Sequence, residues 1–185
     1  KGLKDKRGNV FWSCLDVIKL KKPKYFILEN VRGILWNDKE NKKDKYGRTW
    51  TTIWNALKEL ENDGYTVKWK VLNTRDYGIP QNRERIFVVG FQKKNSKFKM
   101  PDRIELTSNM KDYLEDNFDS KYFLPEKGID FVTKEKNINK KYTQINGDIA
   151  LCQKANQQFN WHGDFIIESQ RVVPEKYYLS DKVRK

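Results

Sequence analysis

Residues 73 to 91 read NTRDYGIPQNRERIFVVGF, and the fold turns on how this stretch divides. Its end, Ile86 to Phe91, is rich in β-branched and aromatic side chains and predicts a short strand. Asn73 to Arg85 is a turn-rich connection built around Tyr77-Gly78-Ile79-Pro80. Arg83 and Arg85 lie two apart, which puts them on the same side of an extended segment. Working outward, Tyr65 to Leu72 alternates apolar and polar side chains, the period of a strand. Thr49 to Asp63 carries Trp50, Ile53, Trp54, Leu57 and Leu60 at helical spacing, and Gly64 ends that helix. Asn37 to Arg48 is polar and reads as a loop. Before it, the continuous apolar run Tyr25-Phe26-Ile27-Leu28, entered from Lys22-Pro23-Lys24, suits a strand buried on both faces in a parallel sheet. Asn9 to Leu20 is a helix by the recurrence of Val10, Phe11, Cys14, Leu15, Val17 and Ile18. Glu29 and Asn30 directly follow the apolar run, and the carboxyl ends of strands border the binding crevice in open α/β sheets.

The chain has 185 residues, room for one real core and a smaller second lobe. Lys and Arg number 38 against 25 Asp and Glu, a formal charge of +13 that draws a phosphate backbone and makes nucleic acid the leading partner. No long apolar run or lipidation signal points to a membrane. Cys14 and Cys152 are too few and too distant for a disulfide scaffold, which fits a reducing, cytoplasmic compartment. A single histidine, His162, without close cysteine spacing, argues against a metal site. The start Lys1-Gly2-Leu3 lacks a methionine and a signal peptide, so we expect the chain to begin inside a longer gene product.

Two stretches, in this order, carry a family resemblance. Phe26-Ile27-Leu28-Glu29-Asn30-Val31, followed after one helix by Asp76-Tyr77-Gly78-Ile79-Pro80-Gln81-Asn82-Arg83-Glu84-Arg85 and an apolar strand, closely resembles the DNA cytosine C5-methyltransferases. Upstream, Lys1-Gly2, Asp5, Arg7-Gly8 and Val10-Phe11 resemble the segment just past that family's Pro-Cys loop. The resemblance implies an enzyme that adds a cysteine thiolate to C6 of a flipped cytosine in double-stranded DNA, so that C5 accepts methyl from S-adenosylmethionine. It implies that Glu29 hydrogen-bonds N3 and the exocyclic amine of that base, that Arg85 faces O2, and that Arg83 braces Glu29 or the adjacent backbone. A guanidinium suits such work because it stays charged and offers fixed donors. The bacterial cytoplasm, or a phage or viral nucleoid, is the implied place of work, with restriction-modification, phage defence or regulation as the roles left open.

The chain also departs from the family. Cys14 follows Ser13 and Cys152 follows Leu151, so neither sits in a Pro-Cys pair; the glycine-rich cofactor loop and the late Gly-Asn-Ser segment are absent. We therefore expect the nucleophile to come from a missing segment or partner chain, this chain alone to be inactive, and S-adenosylmethionine to touch it only near Val10 and Phe11. The expected fold is α/β: the C-terminal half of a Rossmann-like methyltransferase sheet over residues 1–95, then an irregular, mostly β target-recognition lobe over 96–185. In that lobe Gln153, Lys154, Asn156, Gln157, Trp161 and His162, with Gln81 ahead of the arginines, are candidate DNA contacts, since amide and aromatic groups suit base edges and phosphates. The alternative is a non-catalytic DNA-binding module derived from the same family.

Overall fold

In the computed structural model, residues 10–92, 97–116, 119–155 and 161–167 are described. The chain divides into two compact units, one of residues 1–73 and 84–102 and the other of 74–83 and 103–185. The connection ahead of Glu84 thus belongs with the C-terminal half of the chain.

The first unit is a three-stranded sheet with two helices. Helix α1 (Val10–Lys21) ends where Lys22 takes a positive φ of 46° and Pro23 bars continuation. Strand β1 (Tyr25–Val31) follows, then a 3-10 turn at Arg32–Trp36, helix α2 (Arg48–Glu59), strand β2 (Thr66–Asn73) and strand β3 (Glu84–Phe91). Gly64, at φ 87°, makes the left-handed turn between α2 and β2 that a side chain would oppose. The order is β1-β3-β2, with β3 antiparallel to both neighbours, so β1 and β2 run parallel to each other.

Phe26, Leu28, Val67 and Val88 share a buried cluster with Leu15 and Ile18 of α1 and Trp50, Ile53 and Leu57 of α2, so both helices pack through one core with the sheet. Gly90 opposes Phe26 in the β1–β3 ladder, and the Phe26 ring occupies the space a Cβ would need there. The Tyr65 hydroxyl donates to the Pro23 carbonyl at 2.7 Å, tying the entry of β2 to the entry of β1.

One expectation is corrected. Strand β1 is not buried on both faces in a parallel sheet: its described neighbour is the antiparallel β3, and Tyr25 and Ile27 are each 67% exposed. The apolar run supplied burial potential, and among the described residues only the face bearing Phe26 and Leu28 packs into the buried core, while Tyr25 on the other face meets the Phe91 ring. The strand also runs on through Glu29 and Asn30 to Val31, because β3 pairs with it that far.

The second unit holds helices α3 (Glu126–Thr133) and α4 (Glu135–Asn139) and strands β4 (Thr143–Ile145) and β5 (Gly163–Phe165), which pair in parallel. Helices thus accompany the short strands expected of this lobe. Val132 and Thr143 are buried at its centre, the Thr143 hydroxyl donating to the Val132 carbonyl at 2.9 Å. Isolated bridges join Tyr77 to Ile104 and Gln81 to Ala150, which knit residues 74–83 into this unit.

Candidate functional site: a carboxylate and a guanidinium on one sheet face

The antiparallel register sets Val31 opposite Arg85 and Glu29 opposite Phe87. Glu29 and Val31 point to the same face, so Glu29 and Arg85 are diagonal neighbours across the ladder, within reach of long side chains. The Arg85 Nε lies 3.0 Å from the Glu29 Oε1; the guanidinium is 16% exposed and the carboxylate 47%. Arg85 Nη1 also donates to the Glu84 carbonyl at 2.8 Å, so the guanidinium is held from two sides. Glu29 is the wetter partner and keeps a face open to a ligand. Between these strands the backbone is set by Asn30, whose Oδ1 accepts the Val31 amide at 2.8 Å. Arg32 pairs with Glu84 and covers the Trp36 ring at 4.7 Å, which occupies the other acidic side chain near Arg85.

The guanidinium found on Glu29 is that of Arg85. Arg83 belongs to the second unit, where its Nη1 meets the Cys152 Sγ at 3.8 Å. Gln81 in the same segment bridges to Ala150. Of the remaining polar candidates, Gln153 and Lys154 are exposed. Trp161 and His162 are half-buried and have ring neighbours: His162 stacks on Tyr142 and Phe131 at 4.8 and 5.9 Å, and Trp161 lies 6.0 Å from the Phe131 ring. Asn156 and Gln157 lie outside the described residues. Cys14 and Cys152 are both free thiols and half-buried.

Beside Glu29 and Asn30, a small recess of about 70 Å³ is walled by Phe11, Leu28, Ile34, Trp50, Ile53, Leu57, Ile86 and Val88. Its lining is apolar apart from the two strand-end residues. Val10, by contrast, is 62% exposed. Phe11 offers one aromatic wall, but the described residues of this unit supply no glycine-rich turn to admit a charged nucleoside. They do not by themselves make a site for S-adenosylmethionine. No grouping of His, Cys, Asp and Glu among the described residues could hold a metal ion, and no described helix is long and apolar enough to cross a membrane.

Two features carry site information that sequence patterns did not give: the Glu29–Arg85 pairing itself, which needs the strand register, and a carboxylate at Asp164 that binds the Leu151 amide. The first could be read from the sequence only once β1 and β3 were known to be antiparallel neighbours.

The chain is a member of the C-5 cytosine-specific DNA methylase family, whose profile matches residues 1–185. It is 36% identical over 186 residues to the type II methyltransferase M1.ScrFI of Lactococcus lactis subsp. cremoris, covering 95% of this chain and 45% of that protein. It is 39% identical over 190 residues to the type II methyltransferase M.Bsp6I of Bacillus sp. strain RFL6, covering 94% of this chain and 57% of that protein. The chain thus spans about half the length of the curated relatives it matches. Its fold is similar to part of a Spodoptera frugiperda DNMT2 mutant, with TM-score 0.63 at 16% identity over 91% of this chain and 49% of the other. The Entamoeba histolytica methyltransferase EhMeth gives TM-score 0.59 at 19% identity over 89% and 47%.

Proposed function

We propose that this chain is the base-gripping portion of a DNA cytosine C5-methyltransferase, acting in double-stranded DNA on a cytosine turned out of the helix. The observation that carries this reading is the Glu29–Arg85 pair at 3.0 Å on one face of the β1–β3 ladder. A target ring atom inside a duplex is out of reach, so the base must leave the stack before any chemistry. Glu29 then meets N3 and the exocyclic amine while Arg85 orients Glu29 and faces O2. When a thiolate adds to C6, electron density moves toward N3 and O2; a proton passed to N3 through the Glu29 carboxyl group, and the Arg85 guanidinium at O2, take up that charge. Groups already fixed in place stabilise that density without reorganising, an effect of about 10²–10³ in rate for one such donor. The family resemblance adds Arg83 as a further group handling the base.

The thiolate and the methyl donor, S-adenosylmethionine, belong to the remaining portion of the methyltransferase, in the same polypeptide or in a partner chain. Neither Cys14 nor Cys152 follows a proline, and this chain alone is inactive. Exposed apolar side chains on unit 1 support a missing companion: Tyr25, Ile27 and Val31 on one face of β1, and separately Val10, Val17 and Leu20 on α1. A helix that is apolar beyond its core face is one that another segment covers. The +13 charge supports a polyanionic partner, and the kinship to type II methyltransferases supports a role beside a restriction enzyme.

The test is reconstitution. The chain, co-expressed with the portion of M1.ScrFI that it does not cover, is incubated with duplex DNA and labelled S-adenosylmethionine. Label recovered as 5-methylcytosine, and only with both parts present, is the expected result. No product with both parts, or product from this chain alone, contradicts it.

A further inference from the structure

The connection that carries Arg83 rests on a support that the methyl-transfer chemistry does not itself use. Residues Pro80 to Asn82 are hydrogen-bonded to Ala150: the Ala150 amide donates to the Pro80 carbonyl and the Asn82 amide to the Ala150 carbonyl, each at 2.8 Å. The segment around Ala150 is in turn held from its other side. The Asp164 carboxylate on β5 accepts the Leu151 amide at 2.8 Å through Oδ2 and at 3.1 Å through Oδ1. The Gln144 side chain on β4 donates to Asp164 Oδ1 at 2.9 Å and to the Ile149 carbonyl at 2.8 Å. Gly147 makes room for this, since a Cβ there would occupy the space of the Gln144 side chain.

We propose that Asp164, acting with Gln144, is a positioning residue for Arg83: it clamps Ile149 to Leu151 as a rail along Pro80 to Asn82 and so fixes where the Arg83 guanidinium is presented. The significance for methyl transfer rests on the reading of Arg83 as part of the base-handling site; the clamp itself does not. Three considerations favour it. Asp164 spends both oxygens on groups of two other segments rather than on its own turn. Burial pushes its carboxyl above the usual carboxylate range, against the opposing pull of the Leu151 and Gln144 hydrogen bonds, so it is retained at a cost. The rail also ends at Cys152, whose sulfur receives Arg83 Nη1, so a shift of the rail moves the arginine's contact directly. A carboxylate serving two segments 13 and 20 residues away stabilises tertiary placement and not a local turn.

The experiment uses the full 185-residue chain as wild type, Asp164→Ala and Gly147→Ala, the second reaching the clamp through Gln144 without touching the carboxylate. Amide hydrogen exchange is read by NMR at Asn82 and Ala150, with Val88 in the first unit as an internal reference, together with the side-chain Nε–H resonance of Arg83 assigned by Arg83→Lys. Both variants are expected to speed exchange at Asn82 and Ala150 at least about tenfold while Val88 stays within about twofold, and to shift the Arg83 resonance toward that of a solvated arginine. Unchanged exchange overturns the proposal. Faster exchange with an unmoved Arg83 resonance also overturns it, because the rail would then not position the arginine. If both readouts move yet Asp164→Ala keeps full turnover in the reconstituted enzyme, the clamp stands and the role assigned to Arg83 fails.

Discussion

Replacing Glu29 and Arg85 by alanine, singly and together, measures how strongly the two side chains are coupled in solution. Unit charges about 4 Å apart interact by about 1 kcal/mol in water and about 4 kcal/mol at the effective dielectric of a protein surface. At 47% exposure the Glu29 carboxylate lies toward the watery limit, while Arg85 at 16% is largely enclosed. Holding two long side chains in one geometry also costs entropy, so a coupling of about 1 kcal/mol is the expected size. The single costs are unequal. Removing Glu29 leaves a mostly enclosed guanidinium with its Glu84 carbonyl contact, whereas removing Arg85 leaves a carboxylate that water can reach. Urea unfolding followed by fluorescence of Trp50, Trp54 and Trp69, which cluster in the same unit, reads all four proteins. Strict additivity, a coupling below about 0.3 kcal/mol, would mean that the pair does not form and would refute the reasoning.

Other outcomes follow from the same contacts. Gly90→Ala sets a methyl group into the Phe26 ring and is expected to cost about 1–3 kcal/mol, read as a lower melting temperature; an unchanged melt would deny that close approach. Asp164 has a folded-state pKa above its unfolded value, so its contribution to stability is full below the unfolded carboxylate range and is lost as pH rises through the folded value. Thermal melts should therefore show the wild-type margin over Asp164→Asn widening on acidification, and a narrowing margin would reverse the sign. Ile27→Lys, on the exposed face of β1, is expected to reduce self-association of the isolated chain in light scattering and to weaken its pairing with the remaining methyltransferase portion, while leaving the melt nearly unchanged.

Much of the first unit was legible because its elements obey simple periods. The helical spacing of Trp50, Ile53 and Leu57 and the Gly64 stop gave α2, and the β-branched run after Arg85 gave β3, each within a few residues of the observed bounds. The family resemblance named Glu29, Arg83 and Arg85 and gave Arg83 the bracing of Glu29 or the adjacent backbone, whereas in the structure the guanidinium on Glu29 is that of Arg85. That depends on register: one residue of slip would turn Arg85 to the other face. Exposure of Tyr25 and Ile27 was hidden for a different reason, since an apolar run states what a strand can bury and not what arrives to cover it. In the second unit, Asp164 and Gln144 act through single hydrogen bonds across long sequence separations, which leave no period to read. Aromatic and imidazole groups serve both recognition and packing, so the Phe131 and Tyr142 rings beside Trp161 and His162 were not legible in the sequence.

The most direct test of a carboxyl and a guanidinium gripping one extruded cytosine is Glu29→Gln in the reconstituted enzyme. Glutamine keeps the shape and an oxygen for Arg85 while removing the carboxyl group that can pass a proton to N3. Turnover is expected to fall at least about a hundredfold, with duplex binding kept within about twofold. Turnover that survives the change, or binding that falls as far as turnover does, would contradict the assignment.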